Sequence, residues 1–190
     1  FDMSCKFLNK QVKENLPLDY LEINLSVVQC EQNDLSKRFI DIIEKYRLPP
    51  SMINLEITET ASIRTKQRLL ENMAQLISYG SSFSLDDFGS GQSNLNYIVS
   101  MPVAIVKLDM NMTKSYFTEP KAKYVVRAAV RMIHEIGLSV VAEGVETENE
   151  LQGMRELGVD YIQGYYFSMP LPMEEFVKFI RAHALPKKYA

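Results

Sequence analysis

The sequence predicts an α/β fold built on a parallel sheet, and three observations carry that prediction. Short apolar runs alternate with stretches of helical periodicity through the 190 residues. Strict alternation of strand and helix produces parallel strands joined by right-handed crossovers. A recurring joint is the second observation: helical patterns end at Gly80, Gly137 and Gly158, and each glycine is followed by an apolar run, the first of them Ser81-Ser-Phe-Ser-Leu85. Glycine just past a helix removes the steric cost of the left-handed cap, and the run after it reads as a buried strand. Thirdly, every apolar run carries an acid, amide or lysine at or near its C-terminal end.

Taken in order, a helix is expected around 3–14 and a first strand at 20–25. Asp34 is an N-cap candidate for a helix over 34–47, with Leu35, Phe39, Ile42 and Ile43 as its apolar stripe. A proline form of the joint, Tyr46-Arg-Leu-Pro-Pro50, leads into a strand at 53–57. Helices at 65–79 and 92–99 flank a strand at 82–86, and another strand is expected at 103–109. Over 120–136, Tyr124, Val125, Ala128, Ala129, Met132, Ile133 and Ile136 are spaced for one buried helix face. Strands at 138–143 and 159–163, with helices at 147–157 and 172–182, complete six strand–helix units. Such units form either an open doubly wound sheet or a (β/α) barrel. An eight-unit barrel typically takes about 250 residues, so a barrel here would be short by about 60, or two units.

Composition narrows the function. Hydrophobic residues make up 46% and charged residues 24%, enough apolar content for one domain over 1–190 to bury its own core. Two cysteines, Cys5 and Cys30, without a CxxC pattern, and only two histidines argue against a disulfide scaffold or a zinc site. A net charge of −3 and a pI near 5.5 give no broad attraction to nucleic acid or anionic membrane. No apolar run reaches the roughly 18 residues of a membrane span. Phe1-Asp2-Met3 opens no signal peptide. A soluble, cytoplasmic protein that binds no DNA is expected.

The polar residues at the strand ends are Asn24, Glu56, Asp86 with Asp87, Lys107 with Asp109, Glu143 and Gln163. Gly80 to Asp86 and Gly137 to Glu143 are both six positions, which puts their carboxylates at similar heights on their strands. In a barrel those heights converge on one axis. Ionised carboxylates so close repel unless protons or cations intervene. An all-oxygen donor set selects hard divalent cations, and an adjacent acid pair suits two ions bridged by one carboxylate. Each residue alone has a plainer reading: Asp86 as a cap, Lys107 as a solvated lysine, Gly89-Ser90-Gly91 as a loop. Recurrence over six strands is what favours metal-assisted phosphoester hydrolysis.

At these residues the sequence resembles the EAL-domain family, bacterial phosphodiesterases for the second messenger cyclic di-GMP. The matching segments are Asn24-Leu-Ser26, Leu55-Glu-Ile-Thr-Glu59, Asp86-Asp-Phe-Gly-Ser-Gly91, Lys107-Leu-Asp109, Ala142-Glu-Gly-Val-Glu146 and Gln163-Gly-Tyr-Tyr-Phe-Ser168. The resemblance implies a modified (β/α)8 TIM-like barrel, incomplete here with about six βα units. It implies Asn24, Glu56, Asp86, Asp87 and Glu143 as ligands of two Mg²⁺ or Mn²⁺ ions, with Lys107 and Glu143 acting on the attacking water. Asp109, Glu146 and Gln163 would support the ligands, and Glu59 would anchor the loop after Phe88. The reaction implied is opening of cyclic di-GMP to linear pGpG. A homodimer and an upstream sensory or GGDEF-type domain are implied partners, possible within the cytosolic part of a membrane-anchored sensor. The Glu-Ala-Leu signature is absent, and Gln92 and Asn94 stand where the family has an aromatic and a serine. The fragment alone is therefore expected to be inactive or feeble, and a catalytically silent cyclic di-GMP-binding or protein-interaction module is the alternative. An unrelated metal phosphatase on the same barrel is a third reading.

Overall fold

A computed structural model of the chain describes residues 1–30, 32–58, 66–90 and 95–183. Helix α1 (Asp2–Lys13) precedes strand β1 (Leu21–Asn24), the one-turn helix α2 (Val27–Cys30) and helix α3 (Leu35–Lys45). Strand β2 (Ile53–Thr58), helix α4 (Lys66–Tyr79), strand β3 (Ser82–Phe88) and helix α5 (Leu95–Ser100) follow. Strand β4 (Ile105–Leu108) leads into helices α6 (Met110–Thr118) and α7 (Pro120–Glu135). Strand β5 (Ser139–Ala142), helix α8 (Glu148–Leu157), strand β6 (Tyr161–Ile162) and helix α9 (Met173–His183) complete the order.

The sheet decides between the two architectures. All five pairings are parallel and the strand order is β1-β2-β3-β4-β5-β6. A doubly wound sheet reverses its order at a switch point, whereas a barrel adds strands in sequence. The molecule is an incomplete TIM-like barrel, a curled sheet with its helices outside. Gly80, Gly137 and Gly158 adopt φ of +114°, +81° and +85°, as the recurring joint requires.

Strands buried on both faces usually read as continuous apolar runs; here they alternate. Ile53, Leu55 and Ile57 of β2, Phe83 and Leu85 of β3, and Val106 and Leu108 of β4 are all buried in the hydrophobic core with helix residues such as Met73, Leu76 and Val130. Asn54, Glu56, Ser84 and Lys107, which alternate with them, are buried polar groups on the opposite, inner face. The fold thus places its polar chemistry inside the curl.

Two features differ from expectation. Helix α6 has no clear apolar stripe, since only Thr113 and Tyr116 are buried along it; Asp109, read as a site residue, is its N-cap and accepts a hydrogen bond from Asn111 N at 2.9 Å. On α7 the buried face is Val126, Val130 and Ile133, while Tyr124, Val125 and Ile136 are exposed. Two adjacent stripes satisfy helical spacing there, and the sheet covers the one containing Val126 and Val130. No helix among the described residues is long and apolar enough to cross a membrane.

Candidate active site

Lys107 is the centre of the polar lumen. Its side chain is 3% exposed, and four carboxylates reach its ammonium: Glu56 Oε1 at 2.6 Å, Glu143 Oε1 at 2.8 Å, Asp86 Oδ1 at 3.6 Å and Glu22 Oε2 at 3.9 Å. The sheet register builds this cluster. Asn24 pairs with Glu56 across β1 and β2, and Thr58 with Asp86 across β2 and β3. Lys107 pairs with Val141, two residues before Glu143, across β4 and β5. Register partners project to the same face, so Asn24 stands beside Glu56 at the mouth of the lumen.

Strand β3 breaks its register between Leu85 and Phe88, and Asp87 within that bulge has φ of +58°. A bulge bends the strand and re-aims its side chains. Aspartate tolerates the left-handed region better than a bulky residue does. The result keeps Asp87 near enough that its charge acts on Glu143.

One ammonium faces four carboxylates, so burial and like charge act on the ionisation of each group. Burial pushes the Glu56 carboxyl up to about 7; the Lys107 hydrogen bond opposes this and the neighbouring Asp86 charge reinforces it. Burial also raises Glu143, against the Lys107 hydrogen bond and with the charges of Asp86 and Asp87. Burial disfavours the Lys107 ammonium, but the hydrogen bonds it donates to Glu143 and Glu56 more than reverse that, holding its pKa above the ordinary range. A carboxyl whose folded pKa is raised contributes stability below its unfolded pKa that is lost as pH rises through the folded value. The Glu56 contribution in metal-free protein is therefore expected to fall between about pH 4.5 and 7. Denaturant unfolding at intervals across that window should show it, and Glu56→Gln should flatten the decline; an unchanged profile in the variant would contradict the assignment.

The donor set fits a hard divalent cation. Glu56, Asp86 and Glu143 each present an oxygen within 4.8 Å of the others. Asp86 Oδ1 is buried and has no hydrogen-bond partner. Its nearest positive charge is Lys107 Nζ at 3.6 Å, beyond hydrogen-bond length, so the oxygen has a lone pair free for a cation.

Other predicted residues lie around rather than within this cluster. Glu143, Glu146, Ile162, Gln163 and Phe167 line a groove of about 820 Å³, a size that accepts a drug-sized ligand. Glu146 pairs with Lys114 at 3.6 Å, and Lys114 also holds Glu150 at 2.8 Å. Glu150 in turn closes a capping box with Thr147 at the start of α8. Gln163 extends β6 through backbone bonds to Ala142 and Val145. Glu59, Gln92 and Asn94 lie outside the described residues.

Sequence reasoning missed the lower lumen. Ser84 Oγ lies 2.8 Å from Asn54 Oδ1 and 3.2 Å from Glu22 Oε1, and Asn54 Nδ2 donates to Ser82 Oγ at 3.0 Å. The signal was available, because Glu22, Asn54 and Ser84 each precede a strand-end site residue by two positions.

Comparison with known proteins agrees with this fold. A family model described as EAL domain matches residues 3–170. The signaling protein YkoW of Bacillus subtilis is 35% identical over 158 residues, covering 83% of this chain and 20% of that protein. The cyclic di-GMP phosphodiesterase RocR of Pseudomonas aeruginosa is 32% identical over 159 residues, covering 84% of this chain and 41% of that protein. The chain thus spans between a fifth and two fifths of the length of these relatives. Among solved structures, the EAL domain of Mycobacterium smegmatis DcpA superposes with a TM-score of 0.90 at 27% identity, covering 97% of this chain and 83% of that one. The PaMucR phosphodiesterase in complex with c-di-GMP superposes with a TM-score of 0.84 at 28% identity, covering 92% and 71%.

Proposed function

The chain belongs to the EAL domain family, and from that premise we propose that it is the catalytic domain of a cation-dependent phosphodiesterase that opens cyclic di-GMP to linear pGpG. One observation carries the reading: Glu56, Asp86 and Glu143 converge on one another, with Asp86 Oδ1 buried and without a hydrogen-bond partner. Relatives named as cyclic di-GMP phosphodiesterases include RocR and the Pseudomonas aeruginosa protein PA2567, the latter 30% identical over 167 residues.

Asn24, Glu56, Asp86, Asp87 and Glu143 would hold Mg²⁺ or Mn²⁺, two ions in the intact site. When bound, such ions lower the pKa of water and stabilise charge on phosphoryl oxygens. The chain's own groups set the rest. Lys107, buried and held charged, sits where it can hydrogen-bond the attacking water or a phosphoryl oxygen. Glu143 abuts both the cluster and the groove and can take the proton that water loses. The water oxygen bonds to phosphorus, the P–O3′ bond breaks, and the leaving 3′ oxygen takes up a proton. Gln163 and Glu146 line the groove beside Glu143, where they would orient the nucleotide. Asp109 would act indirectly, by fixing the start of α6 after Lys107, and Glu59 through the loop.

A homodimer and a sensory or GGDEF-type domain in the same polypeptide complete the proposal, in a cytoplasmic setting. Exposed Tyr124 and Val125 support the first, and the greater length of the relatives supports the second. The test is turnover of cyclic di-GMP with Mn²⁺, read as pGpG by chromatography on protein whose polypeptide carries the Glu-Ala-Leu strand. Product formed with Mn²⁺ and abolished by chelator is expected. Tight nucleotide binding without product would favour the silent module instead.

A further inference from the structure

We propose that Glu22 is a positioning residue for Lys107: it holds the ammonium from below once the carboxylates above are shared with a cation. The inference rests on the cation-dependent reading of the site.

Three of the four carboxylates around Lys107 are Glu56, Asp86 and Glu143, the same groups that converge as a ligand set. A cation bound by them would draw on the lone pairs that Lys107 now uses and would repel its positive charge. The ammonium is 97% buried by its side-chain exposure of 3%, so water cannot replace those partners. Glu22 stands apart from this competition. It lies two residues before Asn24 on β1 and pairs with Asn54, one layer deeper than the Asn24–Glu56 pair. Its Oε2 faces Lys107 Nζ at 3.9 Å.

The carboxylate is also oriented. Ser84 Oγ sits 2.8 Å from Asn54 Oδ1 and 3.2 Å from Glu22 Oε1, and its one proton serves one of these acceptors at a time, so the hydroxyl borders Glu22 on the lumen face. Oε1 thus faces Ser84 while Oε2 faces the ammonium. A fixed negative charge on the side away from the ligand set offsets the repulsion between Lys107 and the cation. Lys107 then keeps its place at the water instead of competing for Glu56 and Glu143.

The experiment is calorimetric titration of Mn²⁺ into the full chain and its Glu22→Gln, Glu22→Asp and Ser84→Ala variants, with far-UV circular dichroism on each. Loss of a partner that acts behind a metal ligand typically weakens metal affinity or activity by about 10–100-fold. Glu22→Gln should raise the Mn²⁺ Kd by about tenfold, at the lower end of that range, with the fold intact. Glu22→Asp, which keeps the charge, should recover part of the loss, and Ser84→Ala should weaken binding in the same direction by less. In the intact polypeptide, Glu22→Gln should lower kcat for cyclic di-GMP with KM unchanged, a split that a merely structural role would not produce. Unaltered Mn²⁺ affinity in Glu22→Gln, or equal loss in the Gln and Asp variants, would overturn the assignment alone. Should Glu22→Gln fail to fold, unchanged affinity in both Glu22→Asp and Ser84→Ala would overturn it. No Mn²⁺ uptake by the unsubstituted chain would remove the cation reading and this one with it.

Discussion

Lys107→Met is expected to lower the stability of metal-free protein by about 3–5 kcal/mol and to abolish hydrolysis in the intact polypeptide. Removing one partner of a buried ion pair leaves the other charge without compensation, and here one cation serves four carboxylates. Methionine keeps the volume of the stem, so the loss reports charge and hydrogen bonding rather than a cavity. The deficit should be larger at pH 8 than at pH 5, where Glu56, pushed up to about 7 by burial, carries a proton. Mn²⁺ should restore part of the stability by supplying the missing positive charge, but not the activity. Urea unfolding at both pH values, with and without Mn²⁺, checks each clause. A loss below about 1 kcal/mol in metal-free buffer at pH 8 would contradict a structural role for the ammonium.

Gly164→Ala is expected to cost about 3 kcal/mol, at the upper end of ordinary overpacking. A Cβ at this position would lie 1.9 Å from the Val145 carbonyl oxygen and 2.4 Å from its nitrogen. Neither atom belongs to a flexible side chain, and both are engaged: Val145 N donates to Gln163 O at 3.2 Å, and Tyr166 N donates to Val145 O at 3.0 Å. The loop after β5 and the end of β6 must therefore separate, carrying Gln163 away from Glu143. Gly137→Ala is the matched control. Nothing lies within 4 Å of its Cβ position, so its cost is the φ of +81° alone, about 1–2 kcal/mol. Equilibrium unfolding of the two variants should rank them in that order. Equal losses would mean that the contact at Gly164 relaxes.

These expectations depend on how much of the molecule its sequence discloses. Strand positions were legible because each joint carries a residue with one conformational use, glycine at 80, 137 and 158, proline at 49 and 50. The upper ring of Asn24, Glu56, Asp86, Lys107 and Glu143 is legible because each lies at or near the C-terminal end of its strand, where parallel strands open on one end of the sheet. The deeper ring was overlooked although Glu22, Asn54 and Ser84 obey the same two-residue spacing. Its members are ordinary polar residues whose meaning appears only when the sheet curls and closes them around Lys107. The buried face of α7 was misjudged for a different reason. Val125 and Val126 both belong to helical stripes, and only the placement of the helix on the sheet selects Val126. Helix α6 went unseen because its one signal, the Asp109 cap, sits in a motif that reads equally well as chemistry.

Diffraction from crystals of the chain soaked in Mn²⁺, with anomalous differences collected for that ion, decides whether Glu56, Asp86 and Glu143 hold a cation. An anomalous peak coordinated by oxygens of Glu56, Asp86 and Glu143 is expected, with Asp86 Oδ1 among its ligands. No peak at that position in crystals exposed to millimolar Mn²⁺, or ions bound only to surface carboxylates, would contradict it.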